Sequence, residues 1–192
     1  PSTMLESRMP SGETVADVVK LLVGKIGENI VLSRWQVLEC SDKGYCFSYV
    51  HPPGKIGVLV EVETSTPGLA DTPEFREFAR DIAMHIAATA PTCVRREEVP
   101  ADMLEKEREI YRHQALNERK PENVVEKIVE GRIQKFFAEV VLIEQPFAKN
   151  PDIKVADYVE QHKSRFGADL TVRRFLRWKL GEGAEATDNA QA

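Results

Sequence analysis

Residues 44–62 read GYCFSYVHPPGKIGVLVEV. Tyr45 to His51 mixes aromatic and β-branched residues, the composition of a short strand. Pro52-Pro53-Gly54 then interrupts it, because proline lacks the backbone donor a ladder needs and glycine accepts turn dihedrals. Ile56 to Val62 (IGVLVEV) is apolar almost throughout, which fits a central strand covered on both faces. Upstream, Ser41-Asp42-Lys43-Gly44 reads as a turn, and Glu28 to Leu38 is rich enough in apolar and β-branched residues to read as a further strand. The regular spacing predicts an antiparallel meander.

Outward from these strands the period changes. TSTPGLADTP reads as a loop, with Thr72 as N-cap and Pro73 at the first helical position. Phe75, Phe78, Ala79, Ile82, Ala83 and Ile86 recur at helical spacing, so a helix packs on the sheet until Pro91 closes it. Ala101 to Leu116 and Val124 to Val141 each carry one narrow apolar stripe between charges. They are joined across Asn117-Glu118-Arg119-Lys120 and read as an antiparallel helical hairpin with its tip in solvent. Gln145-Pro146-Phe147 ends the hairpin. Asp157 to Lys163 reads as a short helix and Ala168 to Leu180 as a last strand. Near the start, Ser11 or Thr14 caps a helix from about Val15 to Val23, ended by Gly24 and Gly27. IGENIVLSRW (26–35) echoes FGADLTVRRF (166–175), which raises the possibility that strands from both ends of the chain share one sheet.

The composition narrows the function classes. Of 192 residues, 42% are apolar and 30% charged, a mix able to bury a core. The net charge of −5 argues against a general nucleic-acid or anionic-membrane binder, and no apolar run approaches the roughly 20 residues of a membrane span. Cys40, Cys46 and Cys93 match no zinc or redox spacing; a hairpin could bring Cys40 near Cys46, but reduced structural thiols are the expectation. No nucleophile–base pair, metal set or phosphate-loop pattern is visible, so no cofactor is expected. Trp35 and Trp178 are expected in the core between sheet and helix, His85 as a core residue, and His113 and His162 at the surface. Arg173, Arg174 and Arg177 are read as core-edge ion pairs.

Read in order, five segments resemble the translation elongation factor Ts family: KIGENI (25–30), HPPGKIGVLVEV (51–62), ARDIAMHIAA (79–88), VEGRIQKFFAEVVLIEQPF (129–147) and VRRFLRWKLGEG (172–183). The resemblance covers about residues 13–183. It implies an α+β fold, an antiparallel three- to four-stranded sheet packed with helices and a protruding antiparallel coiled-coil hairpin, like the family's dimerisation domain. On that basis residues 1–12 are a disordered leader, 13–183 one core subdomain with 97–147 as the hairpin insertion, and 184–192 a disordered tail. The implied function is a guanine-nucleotide exchange factor of the cytoplasm, or of a mitochondrial matrix or plastid stroma. It would bind elongation factor Tu in its GDP or nucleotide-free form and promote GDP release, making no bond itself. No membrane or nucleic-acid partner is expected; a homodimer is possible.

The family's N-terminal helical module and its first subdomain are expected to be absent, so that the chain is read as the family's second, C-terminal core subdomain. The first subdomain carries a Thr-Asp-Phe-Val motif that wedges into the GTPase. Thr66-Pro67-Gly68-Leu69-Ala70 stands at the matching place and lacks both aspartate and phenylalanine. The resemblance assigns partner binding to His51, Pro52 and Gly54 in the turn before IGVLVEV, and to Phe147 and Ala148; the hairpin tip adds Arg119 and Lys120. A binding-only scaffold, holding elongation factor Tu or another partner through the hairpin without exchange, is the alternative. A single-core factor that dimerises is a third.

Overall fold

Thr14 decides where the first long helix begins. In the computed structural model, which describes residues 2–182, the Thr14 Oγ1 accepts the Asp17 amide at 3.1 Å and the Asp17 carboxylate accepts the Thr14 amide at 3.2 Å. This reciprocal box satisfies donors that a helix start otherwise leaves unpaired. Ahead of it lie a helical turn, α1 (Ser2–Leu5), and a bridge between Arg8 and Thr14. The leader expected to be disordered therefore carries local structure. Helix α2 (Val15–Ile26) runs one turn past its expected end and stops at Gly27, whose φ of 76° is readily adopted only without a side chain.

The chain divides into two compact units: Pro1–Glu39 with Gly181–Ala192, and Cys40–Leu180. The expected tail at 184–192 lies outside the described residues.

The larger unit is built on the stretch that opened the sequence. Strand β1 (Gly44–His51) pairs antiparallel with β2 (Ile56–Thr64), from Gly44 opposite Glu63 to His51 opposite Ile56. Helix α3 (Pro73–Thr89) starts at Thr72, whose Oγ1 accepts the Phe75 amide. It lays Phe75, Phe78, Ile82 and Ile86, all fully buried, against Val58, Val60 and Val62 of β2. Helices α4 (Ala101–Asn117) and α5 (Glu122–Val140) follow as a helical hairpin. A second apolar cluster holds them together around Ala115, Val125, Val129 and Ile133. Two short strands, β3 (Pro146–Phe147) and β4 (Asn150–Lys154), lead to α6 (Val155–Phe166) and β5 (Leu170–Lys179). The order in the main sheet is β1-β2-β5, all antiparallel.

The sequence echo is therefore longer than ten residues. Both α2 and α6 have 12 residues, open on Val-Ala-Asp and end on a left-handed glycine, Gly27 or Gly167. After Gly167 the chain becomes β5. After Gly27, residues 27–39 form no strand, contrary to the expectation for Glu28 to Leu38. Strand β2 pairs with β1 on one side and with β5 on the other, and residues 27–39 take no place in this sheet. Only the later copy enters the sheet. Trp35 is correspondingly 40% exposed rather than in the core, and Trp178 is half-buried.

On the sheet face opposite α3 the fully buried side chain is an acid. Glu61 accepts the Ser41 amide at 2.8 Å and the Arg174 Nε at 2.6 Å, with Arg173 3.9 Å away. Burial pushes its carboxyl up, but the Ser41 amide and the two guanidinium groups outweigh that and hold it below the usual carboxylate range. Glu63 pairs with Arg173 and Ser41, while Arg177 donates to the Ala87 carbonyl. Arg173 and Arg174 form the expected core-edge ion pairs, while Arg177 is shown bonded to a backbone carbonyl. Cys40 and Cys46 face one another across the turn, Cα atoms 6.2 Å apart, the proximity the sequence allowed for.

Candidate functional site

Three places carry the residues assigned to partner binding. The first is the β1–β2 turn. His51 ends β1, and its carbonyl accepts the Gly54 amide at 2.7 Å, closing a turn in which Gly54 has φ of 99° and Pro52-Pro53 is cis. His51, Pro52 and Gly54 are all exposed. Tyr49, two residues back on the same strand face, holds the His51 Nδ1 at 3.0 Å, so the imidazole is oriented while its Nε2 is left for solvent or a partner.

The second is the helical hairpin. Exposed ion pairs cross it between Arg108 and Glu130, Arg112 and Glu126, and Arg132 and Glu118. Each adds little stability alone; the apolar seam beneath them is the main tie. At the tip, Arg119 adopts φ of 53° and donates its amide to the Leu116 carbonyl. A non-glycine residue in that region is uncommon, and it turns the chain tightly enough to present Arg119 and Lys120 side by side in solvent. Lys120 lies 4.0 Å from Glu118. At the other end, Arg96 forks onto Glu144 and lies over the Phe137 ring at 4.5 Å, which ties the base of the hairpin to the segment before α4.

The third is the segment after α5, residues 145–149, and it is bound to one face of α3. The His85 Nε2 lies 2.8 Å from the Gln145 Oε1, and its Nδ1 accepts the Ala148 amide at 3.1 Å. Gln145 in turn donates to the Glu139 carbonyl. One helical turn earlier, Asp81 accepts Lys149 at 2.5 Å and the Tyr158 hydroxyl at 3.0 Å. Phe147 stacks on Tyr158 with ring centroids 4.1 Å apart. Burial, then the charge and hydrogen bond of Asp81, push the Tyr158 phenol up, so it stays a donor. Phe147 is 2% exposed and faces inward, whereas Ala148 is exposed. Of the two assigned residues, only Ala148 reaches the surface. His85 is buried, as expected, and His113 exposed. His162 is half-buried against Tyr158 and Phe78 rather than at the surface, because α6 lays it on the aromatic row.

The second and third places meet where Gln145 donates to the Glu139 carbonyl at the end of α5. The sequence reading missed Asp81, Gln145, Lys149 and Tyr158. A signal existed: Asp81 and His85 are polar residues four apart inside an otherwise apolar helix stripe, so a partner had to be buried there. The loop at 66–70 has its counterpart in a single 3-10 turn, Leu69–Asp71, with Leu69 and Ala70 packed on the core and no aromatic side chain.

No group of three or more His, Cys, Asp or Glu side chains could hold a metal ion among the described residues, and no described helix is long and apolar enough to cross a membrane. The model of the family described as elongation factor TS matches residues 2–182. Proteins named elongation factor Ts are similar to the chain across most of it. That of Carboxydothermus hydrogenoformans is 57% identical over 141 residues, 73% of this chain and 65% of the relative. That of Heliobacterium modesticaldum is 44% identical over 180 residues, 94% of this chain and 84% of the relative. That of Acetivibrio thermocellus is 50% identical over 182 residues, 95% and 85% respectively. The chain belongs to the elongation factor Ts family, the guanine-nucleotide exchange factors of translation elongation.

Proposed function

We propose that this chain binds elongation factor Tu in its GDP or nucleotide-free form and promotes GDP release, in the cytoplasm where elongation works. Family membership over residues 2–182 carries the reading. The physics is linkage: a protein that binds the nucleotide-free state more tightly than the GDP state weakens GDP binding by the same factor. No bond is made or broken by the factor. His51 with Pro52 and Gly54 forms one contact, Ala148 over Phe147 a second, and Arg119 with Lys120 a third.

The absence of an aromatic wedge at 66–70 shapes the proposal. The turn Leu69–Asp71 supplies no side chain that could pry at a phosphate site. Grip on the partner is therefore the chief contribution of these three patches, and a homodimer would supply a second set of them. The relatives from Heliobacterium and Acetivibrio leave only about a sixth of their length outside the match, little room for a second core of this size. This supports the single-core reading.

The test is release of fluorescently labelled GDP from elongation factor Tu, run beside direct binding. Concentration-dependent acceleration supports exchange. Binding without acceleration would show a scaffold instead, and no binding would remove the assignment of His51.

A further inference from the structure

We propose that His85 is a positioning residue for partner binding: in its neutral Nε2–H form it latches the Ala148 amide and so fixes residues 145–149 as a presented surface. The proposal deepens the reading of Ala148 as a contact and rests on it for its functional half.

The tautomer follows from the partners. A backbone N–H can only donate, so the His85 Nδ1 that receives the Ala148 amide must be unprotonated. A neutral imidazole then carries its proton on Nε2, which faces the Gln145 Oε1 at 2.8 Å. The Thr89 hydroxyl, on α3 one turn on, also reaches that oxygen at 2.9 Å. Both ring nitrogens are thus used, and both act on the same segment: Nε2 fixes Gln145 at its start, Nδ1 fixes Ala148 three residues later. The ring lies 5.8 Å from the Phe147 ring between them.

No alternative protonation state keeps both bonds. The Nδ1–H tautomer and the imidazolium each place a proton against the Ala148 N–H. The hydrogen-bond partners of the ring are neutral: Gln145, Thr89 and a backbone amide. The charged and titratable groups nearby have partners of their own. Asp81 of α3 takes Lys149 and Tyr158, Glu144 takes Arg96, and His162 of α6 holds the Tyr158 carbonyl. Burial also keeps the imidazole below its usual range, opposed by the Gln145 bond.

The latch matters because Ala148 is not among the paired residues, whereas Gln145 is also held by its amide to the Val141 and Leu142 carbonyls and by its carbonyl to the Val155 amide. Strands β3 and β4 pair only Pro146 with Lys154 and Phe147 with Asn150, and the register shifts between those pairs. Pro146 has no amide to contribute. Ala148 lies beyond the Phe147–Asn150 pair, in the turn between the two strands, exposed on its side-chain face and held from behind by an imidazole.

The experiment compares the whole chain with His85→Asn and His85→Gln. The Asn oxygen falls near the Nδ1 position and can still accept the Ala148 amide; the Gln amide falls near Nε2 and cannot. Amide exchange at Ala148 and imidazole 15N shifts are read by NMR, with affinity for elongation factor Tu measured alongside. The expected result is a wild-type Nε2–H tautomer with Ala148 protected. His85→Asn should keep that protection, and His85→Gln should lose about tenfold or more, with a comparable loss of affinity. Wild-type affinity should hold through the ordinary imidazole range and fall only as pH is lowered through the folded-state value, which burial keeps below that range. Equal Ala148 protection in both variants, or a protonated Nδ1 in the wild type, overturns the latch. Unchanged affinity in a variant whose Ala148 is released overturns its role in binding. The NMR readout needs no partner, so failure of the wild type to bind elongation factor Tu would sink the functional reading while the latch is judged on its own.

Discussion

Removing Arg174 tests how the sheet tolerates a buried acid. Glu61 is fully buried, and three groups answer its charge: the Arg174 guanidinium at 2.6 Å, the Ser41 amide at 2.8 Å and Arg173 at 3.9 Å. Breaking a fully buried pair from one side costs about 3–5 kcal/mol. Here the Arg174 side chain is 48% exposed, so water already screens it, and two partners remain after Arg174→Met. About 2 kcal/mol is the expected loss, which in a chain of this length lowers Tm by about 4–8 °C. Urea denaturation of the wild type, Arg174→Met, Glu61→Gln and the double variant forms a cycle that isolates the pair. In the Glu61→Gln background, Arg174→Met should cost less than about 1 kcal/mol, since no charge is left stranded. The pH dependence has a definite sign. A carboxyl held below its ordinary value of 4.5 adds stability that is present above that pH and is lost as pH falls through the folded-state value. Equal costs of Arg174→Met in the two backgrounds, or the same cost at pH 7 and pH 3, would refute the reasoning.

Other outcomes follow from single features. Ile133→Ala, fully buried in the hairpin seam, should cost about 2–5 kcal/mol by denaturation, while Arg112→Ala on the surface of the same hairpin should cost less than about 1 kcal/mol. Ala90 ends α3 with φ of 49°, so Ala90→Gly should raise stability by about 0.5–1 kcal/mol, measured by the urea midpoint. Burial and the charges of Glu98, Glu144 and Glu97 push the Cys93 thiol up to about 11; iodoacetamide at pH 8 should leave it unmodified in the folded chain and label it in urea. His51→Ala should weaken binding to elongation factor Tu while leaving the urea midpoint within about 0.5 kcal/mol, because the side chain is exposed and its Tyr49 partner remains hydrated.

What the sequence by itself determined is local. The Thr14 and Thr72 caps, the apolar stripe of α3, the run IGVLVEV and the prolines at 52 and 53 each follow from residue type and spacing, and all appear where the pattern put them. The exposed turn at His51 and the tip at Arg119-Lys120 were legible for the same reason: a turn is a short-range event. Tertiary structure decided everything that depends on a partner distant in sequence. Residues 28–38 and 170–179 carry similar strand signals, yet only the second pairs with β2 and becomes a strand. Phe147 and Ala148 are adjacent and read alike, but one faces Tyr158 and the other solvent. His85 looked like a core histidine, and it is one; that it holds a residue 63 positions away, at the surface offered to a partner, could be read only once α3 and that segment lay side by side.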